Sequence, residues 1–365
     1  MIVYYAAYGS LLLIYCVEKI KNKENIKNKE NIKKAIAIAF FTVFSILLGC
    51  RHPSMGHDLG YGTGAGYLQS FKQISRLSWK AVLHLKSFLN YERGYIIYNK
   101  ILGILSDNVQ ILLFATALLS FCLISRAFYK LSDNRNIFMA IIIYTALPCF
   151  LIQFSGLRQA IAVAICTLAM QFIESRRIAP FVLLVLVAAL FHKTSLCFLP
   201  AYFIYIVPVN RKWRFATFGV LALVFVLRAQ LFQVLVRLMG RSDTPDYNGA
   251  STLFLIFTLI YLFCSMYETA DARMNGYMNL FYLACVFQTF SGVYSSAMRM
   301  GYYYMISIPI LLPMAIDNIL EFRQRELVRL LVYVCFLAFG LYTLSSKTGW
   351  AMTNPYHFFW QNIYG

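Results

Sequence analysis

Apolar runs of about membrane-spanning length, broken by short charged stretches, fill most of the chain. They fall at 2–18, 35–50, 109–126, 136–154, 159–174, 178–192, 195–209, 214–233, 251–267, 275–293, 302–318 and 328–345. A hydrocarbon core about 30 Å thick is crossed by roughly 20 apolar helical residues, so these runs read as transmembrane helices. The expected fold is all-α, a polytopic helical integral membrane protein with about twelve transmembrane helices. The stretch 94–106 is shorter and holds Lys100, which makes it an interfacial or re-entrant helix rather than a crossing one. No internal repeat of the inverted-repeat transporter kind is visible, and 1–365 is expected to form a single transmembrane domain.

Composition agrees with the pattern. Of 365 residues, 60% are hydrophobic and 13% charged. A soluble domain carries about 25% charged residues, which argues against a cytosolic enzyme. The net charge of +18 points to cytoplasmic loops and anionic headgroups, and no soluble stretch is long enough for a basic nucleic-acid-binding domain. Nine cysteines lie mostly inside apolar runs with no CxxC pair, as buried small hydrophobes would. The first residues, Met1 to Tyr5, lack a basic n-region and a cleavage site, so the first run is expected to be an uncleaved span.

The distribution of charge sets the expected orientation. Residues 19–34, KIKNKENIKNKENIKK, carry seven lysines between two spans and are expected to be cytoplasmic, with the N-terminus outside. Alternating from there, the cytoplasm receives Arg126, Lys130 and Arg135, then Arg176 and Arg177, then Arg211, Lys212 and Arg214, and later Arg323, Arg325 and Arg329. A crossing at 94–106 would invert most of these clusters. The outer face then receives the long loop 51–108, the segment 234–250, the tail after 345 and all five histidines. Within that loop, 67–90 mixes Tyr67, Phe71, Ile74 and Trp79 with Lys72, Arg76 and Lys80, an amphipathic cationic helix expected to lie on the membrane.

Five outer-face constellations hold candidate chemistry. They are RHPSMGHD at 51–58 leading into GYGTGAG at 60–66, ERGY at 92–95, SGLRQ at 155–159, FHKTS at 191–195 and RMGYYY at 299–304. Arg158, Lys193 and Arg299 stand on the side that short loops disfavour for cations, and Arg228 is expected deep in a span. Arginine forks bind phosphate oxygens bidentately, so Arg51, Arg158, Lys193 and Arg299 are candidates for a diphosphate, and Arg51, Arg158 and Arg299 are expected to converge on one cavity. The candidate general bases are His192, Asp58 and Glu92, which the sequence does not rank. The glycine run is not a Walker A loop, and neither HExxH nor GxSxG occurs.

At these residues the chain resembles the EpsG-like, Wzy-type polysaccharide polymerases: RHPSMGHD, ERGY, SGLRQAIAVAI, ALFHKTS, RMGYYY and the closing NPY at 354–356 carry the likeness. One departure is the glycine-rich insertion after Asp58, which leaves Tyr61 or Tyr67 in place of the tyrosine that family shows just after its aspartate. The resemblance implies a glycosyltransferase of the O-antigen polymerase type in the bacterial inner membrane. It would pass a growing glycan from undecaprenyl diphosphate to an incoming lipid-linked unit at the periplasmic face. It implies no metal and no cofactor. Its partners would be lipid-linked donor and acceptor, membrane lipids and a chain-length regulator protein, with no nucleic acid. A flippase or transporter of lipid-linked oligosaccharides is the alternative reading, and an O-acyltransferase or O-antigen ligase would use a similar outer site.

Overall fold

A computed structural model of the protein describes residues 1–21, 26–84, 91–238, 251–346 and 351–363. The centre of the basic segment 19–34, the Lys86 and Phe88 end of 67–90 and most of 234–250 lie outside the described residues. Among the described residues every regular element is a helix, and an isolated antiparallel bridge pairs Arg51 with Phe358. The chain divides into two compact units, residues 1–196 with 333–365, and residues 197–332.

The first unit contains α1 (Ile2–Lys21), α2 (Ile26–Gly49), α3 (Gly66–Arg76), α4 (Trp79–His84), α5 (Arg93–Leu105), α6 (Gln110–Leu131), α7 (Ile137–Ala146), α8 (Pro148–Ser155), α9 (Leu157–Glu174) and α10 (Ile178–Ala189). α6 packs between α2 and α9, α9 also packs on α10, and α1 lies against α2. Rings from four helices interlock in this core: Phe40 and Phe44 of α2 meet Phe121 of α6, Tyr144 of α7 and Phe150 of α8 in edge-on and tilted pairs. α9 is buried along most of its length. Its small residues Ala160, Ala162, Ala164 and Ala169 are fully buried, because only short side chains let neighbouring backbones close on every face.

The second unit contains α11 (Ala201–Tyr205), α12 (Arg211–Val226), α13 (Arg228–Leu238), α14 (Thr252–Met266), α15 (Ala272–Thr289), α16 (Ser295–Met305), α17 (Ile308–Asp317) and the start of α18 (Phe322–Ser345). α15 is its hub, packing against α11, α12, α14, α16 and α17. Arg214 is buried there and fully occupied. It donates from Nε to Glu268 at 2.9 Å, from Nη1 to Asn279 at 2.7 Å and from Nη2 to the Asn275 side chain at 2.7 Å. Asn210 and Asp271 cap α12 and α15 by accepting from the backbone N–H groups of Trp213 and Arg273.

Four helices among the described residues are long and apolar enough to cross a membrane: Glu30–Gly49 within α2, α6, α9 and α18. Two bent pairs raise the number to six, α7 with α8 at 61° and α12 with α13 at 74°. The protein is therefore a multi-pass helical membrane protein, but length and composition do not support the larger expected count. Several apolar runs fold as shorter pieces. The run 136–154 breaks at Leu147, whose backbone is extended because the Pro148 ring excludes the helical conformation before it. The run 195–209 becomes a 3-10 turn followed by the five-residue α11, and 302–318 divides between α16 and α17. The stretch 94–106 forms α5, 13 residues long, in keeping with a non-crossing helix. The 67–90 stretch splits into α3 and α4, and the apolar face of α3 is covered by α5 rather than left free for lipid.

Candidate functional site

The sequence motifs of the first unit meet where three helix ends come together. ERGY begins α5, with Glu92 at its N-cap. The glycine of that motif has a steric reason. A Cβ on Gly94 would sit 2.7 Å from both the Leu190 carbonyl oxygen and the Leu190 Cβ, so a larger residue would push α5 off the end of α10. With glycine there, the Tyr95 N–H reaches Leu190 O at 3.2 Å, and the ALFHKTS turn after α10 is clamped beside Glu92.

SGLRQ supplies the third end. Gly156 ends α8 and opens α9, which puts Arg158 in the first turn of α9. A cation at a helix N-terminus opposes the helix dipole and needs a counter-charge. Glu92 provides it: Arg158 Nη1 donates to Glu92 Oε2 at 2.5 Å. The other carboxylate oxygen, Oε1, accepts the Lys193 backbone N–H at 3.1 Å and lies 3.4 Å from His192 Nδ1. At that distance the imidazole contact is electrostatic; the buried Nδ1 makes no formed hydrogen bond among the described residues. Glu92 thus joins three segments that are far apart in sequence. Burial raises its pKa, but the His192 ring, the Lys193 N–H and the Arg158 charge together outweigh burial and hold the carboxyl down at about 2.

Tyrosines hold Arg158 from the other side. Its guanidinium lies 4.4 Å from the Tyr91 ring centre, and Nε donates to the Tyr67 hydroxyl at 3.3 Å. Ser70 donates to the Tyr91 hydroxyl at 3.2 Å, and Tyr67 and Tyr91 stack 5.6 Å apart. Beneath them Leu59, Leu68, Phe71, Tyr95 and Leu157 form one buried cluster with Leu112 and Leu113 of α6. Tyr67 is therefore the tyrosine that joins the site. Tyr61 instead packs edge-on against His52. Sequence reasoning missed Tyr91 and Ser70. Tyr91 stands next to Glu92 and Ser70 on the buried face of α3, and neither position differs by type from many other aromatic and hydroxyl residues nearby.

Asp58 sits on the 3-10 turn His57–Leu59, with its backbone N–H donating to Ser155 Oγ at 3.1 Å. Its carboxylate is half-exposed, 3.4 Å from His57 Nδ1, and its charge reaches the Tyr67 and Tyr91 hydroxyls. The glycine run returns the chain from this turn to α3. Gly66 has φ +83°, and a Cβ there would lie 2.7 Å from the carbonyl oxygens of Asp58 and Leu59.

The four candidate cations have different immediate surroundings. Arg158 is in the cluster. Lys193 gives its backbone N–H to Glu92, and its exposed ammonium has no partner among the described residues. Arg51 is 1% exposed and does not join them. It donates to Leu48 O at 2.7 Å, to Phe154 O at 3.1 Å and to Gln153 O at 3.3 Å, so it caps the C-terminal ends of α2 and α8. Burial pulls its pKa down to about 10. That role leaves the guanidinium directed at carbonyls, not at a diphosphate. Arg299 is exposed on α16 in the second unit. Arg228, expected deep in a span, is the first residue of α13, at the bend of the α12–α13 pair, with its guanidinium 4.1 Å from the Phe225 ring centre.

Helices long and apolar enough to cross a membrane, with an acid and cation cluster at the start of one of them, α9, define a multi-pass membrane protein with a built polar site. The chain matches the EpsG family over residues 34–358 and belongs to it. The EpsG-like proteins are Wzy-type polymerases, which makes this a membrane glycosyltransferase of the polysaccharide-biosynthesis kind. No curated protein and no solved structure matches the chain.

Proposed function

We propose that the protein polymerises lipid-linked oligosaccharide repeat units, O-antigen or exopolysaccharide. It would transfer the growing glycan from undecaprenyl diphosphate to the sugar hydroxyl of an incoming lipid-linked unit at the outer face of the cytoplasmic membrane. The observation that carries this reading is Glu92, on which the ERGY, SGLRQ and FHKTS segments converge.

In this mechanism the acceptor hydroxyl oxygen attacks the anomeric carbon while the bond from that carbon to the diphosphate oxygen breaks, and the diphosphate leaves with the electron pair. His192 accepts the hydroxyl proton on Nε2. As the imidazolium forms, Nδ1–H turns onto Glu92 Oε1, 3.4 Å away. A carboxyl held at about 2 is a poor base at neutral pH and a good permanent counter-charge, so Glu92 orients and stabilises His192. Asp58 remains the alternative base. The free ammonium of Lys193 and the fixed guanidinium of Arg158 face the leaving group. Preorganised cations of this kind stabilise developing charge without reorganisation.

Replacing His192 by Ala and by Gln in a strain that depends on the protein tests the assignment. Loss of polymer with both, at normal protein level, is expected. Full-length polymer from His192→Gln would transfer the base role to Asp58. The outward orientation is tested by labelling single cysteines at Lys27 and His52, after the exposed Cys16, Cys122 and Cys335 are replaced. Labelling of both from the same side of the membrane would refute it. Purified protein in vesicles separates polymerase from flippase. Chain growth from lipid-linked units supplied on one side supports the polymerase, and transfer of single units across the bilayer without growth supports a flippase.

A further inference from the structure

We infer that residues 356–361 form an aromatic hook that seats in the lipid headgroup layer at the end of α2, fixing the depth of the loop that leads to the Glu92 cluster. The inference rests on the membrane-crossing reading of α2 and not on the proposed chemistry.

The hook is tied to a known point on a span. The crossing part of α2 ends at Gly49. The next three residues pair with the hook: Phe359 N–H donates to Cys50 O at 3.0 Å, His52 N–H donates to His357 O at 2.7 Å, and Arg51 bridges Phe358. The Tyr356 hydroxyl reaches back to Leu47 O in the last turn of α2 at 2.7 Å. The first turn of α1 joins them, with Tyr4 donating to Thr353 O at 2.5 Å and meeting the Tyr356 ring edge-on at 5.7 Å. A segment bound at Leu47, Cys50 and His52 cannot lie far from where α2 leaves the hydrocarbon.

At that level the hook turns two large rings outward. Phe359 is 44% exposed and Trp360 is 62% exposed. They are ordered against their neighbours, with Trp360 stacked on Phe358 at 4.4 Å and edge-on to Phe359 at 4.9 Å. Water disfavours a rigid outward aromatic pair. The boundary of a bilayer favours it, because the rings reach acyl chain while the indole N–H reaches headgroups and water. Gln361 and Asn362, which follow, are exposed polar residues suited to the aqueous side. A span end, a backbone tether and outward aromatics at one depth select lipid as the occupant.

The protein is reconstituted in nanodiscs of phosphatidylethanolamine and phosphatidylglycerol whose acyl chains carry bromine either near the headgroup or near the bilayer centre. Emission of the wild type minus that of Trp360→Phe isolates the Trp360 signal. The expected result is a blue-shifted component that headgroup-side bromines quench more strongly than central ones. A component quenched by aqueous iodide and by neither lipid would overturn the inference. So would one shielded from all three quenchers, which would place the ring against protein. If Trp360→Phe accumulates poorly, replacing Trp79, Trp213 and Trp350 by Phe leaves Trp360 as the sole tryptophan, read directly with the same expected and overturning results.

Discussion

Arg158 donates to Glu92 across 66 residues of sequence, joining the first turn of α9 to the N-cap of α5 at 2.5 Å. Both side chains are largely buried, at 17% and 7% exposed, and the same carboxylate faces His192. Breaking such a pair leaves one charge stranded, at a cost of about 3–5 kcal/mol. Glu92→Gln and Arg158→Met should therefore each lower thermal stability in detergent, and the double substitution should cost clearly less than the two together. Additive losses across the four proteins would mean that the ion pair is not a coupled unit.

The depressed pKa of Glu92 predicts a pH window. A carboxyl lowered on folding adds stability above its unfolded value, here 4.5, and loses it as pH falls through the folded value of about 2. That difference is worth on the order of 3 kcal/mol at neutral pH. Between pH 5 and 3 (about the start and middle of the window) the wild type should lose melting temperature faster than Glu92→Gln, whose side chain does not titrate. Parallel curves from thermal scans would contradict the assignment.

Arg51 and Lys193 should separate stability from turnover. Arg51→Ala removes donors from buried carbonyls, at about 1–3 kcal/mol for each group left unsatisfied, and should reduce the yield of folded protein. Lys193→Ala touches only an exposed side chain and should leave the melting temperature unchanged while slowing polymer formation. Chromatographic yield, melting temperature and polymer length measured together would distinguish the two.

Gly94→Ala adds one methyl group against the Leu190 backbone. Overpacking of this kind costs about 1–3 kcal/mol. Because it pushes α5 away from the turn holding His192, activity should fall further than the melting temperature suggests. Gly62→Ala is the control. It meets no atom within 4 Å, but its φ of +75° carries a small backbone penalty, so stability should fall slightly and activity should persist.

The sequence by itself determined the class of the protein. Apolar runs of spanning length can be satisfied only by helices in lipid, and the motifs at 92–95, 155–159 and 191–195 carried the family resemblance before any contact was known. It also marked Glu92, Arg158, His192 and Lys193, because charged groups beside apolar runs are costly and so conspicuous. Tertiary structure decided which of them share a site. Arg51 and Arg158 look alike in sequence, yet one caps two helix ends and the other pairs with Glu92, since only packing reveals whether a guanidinium meets carbonyls or a carboxylate. Span number was illegible for the same reason. Hydropathy measures how apolar a run is and not where Pro148 bends it, nor whether the apolar face of α3 is covered by α5 or by lipid.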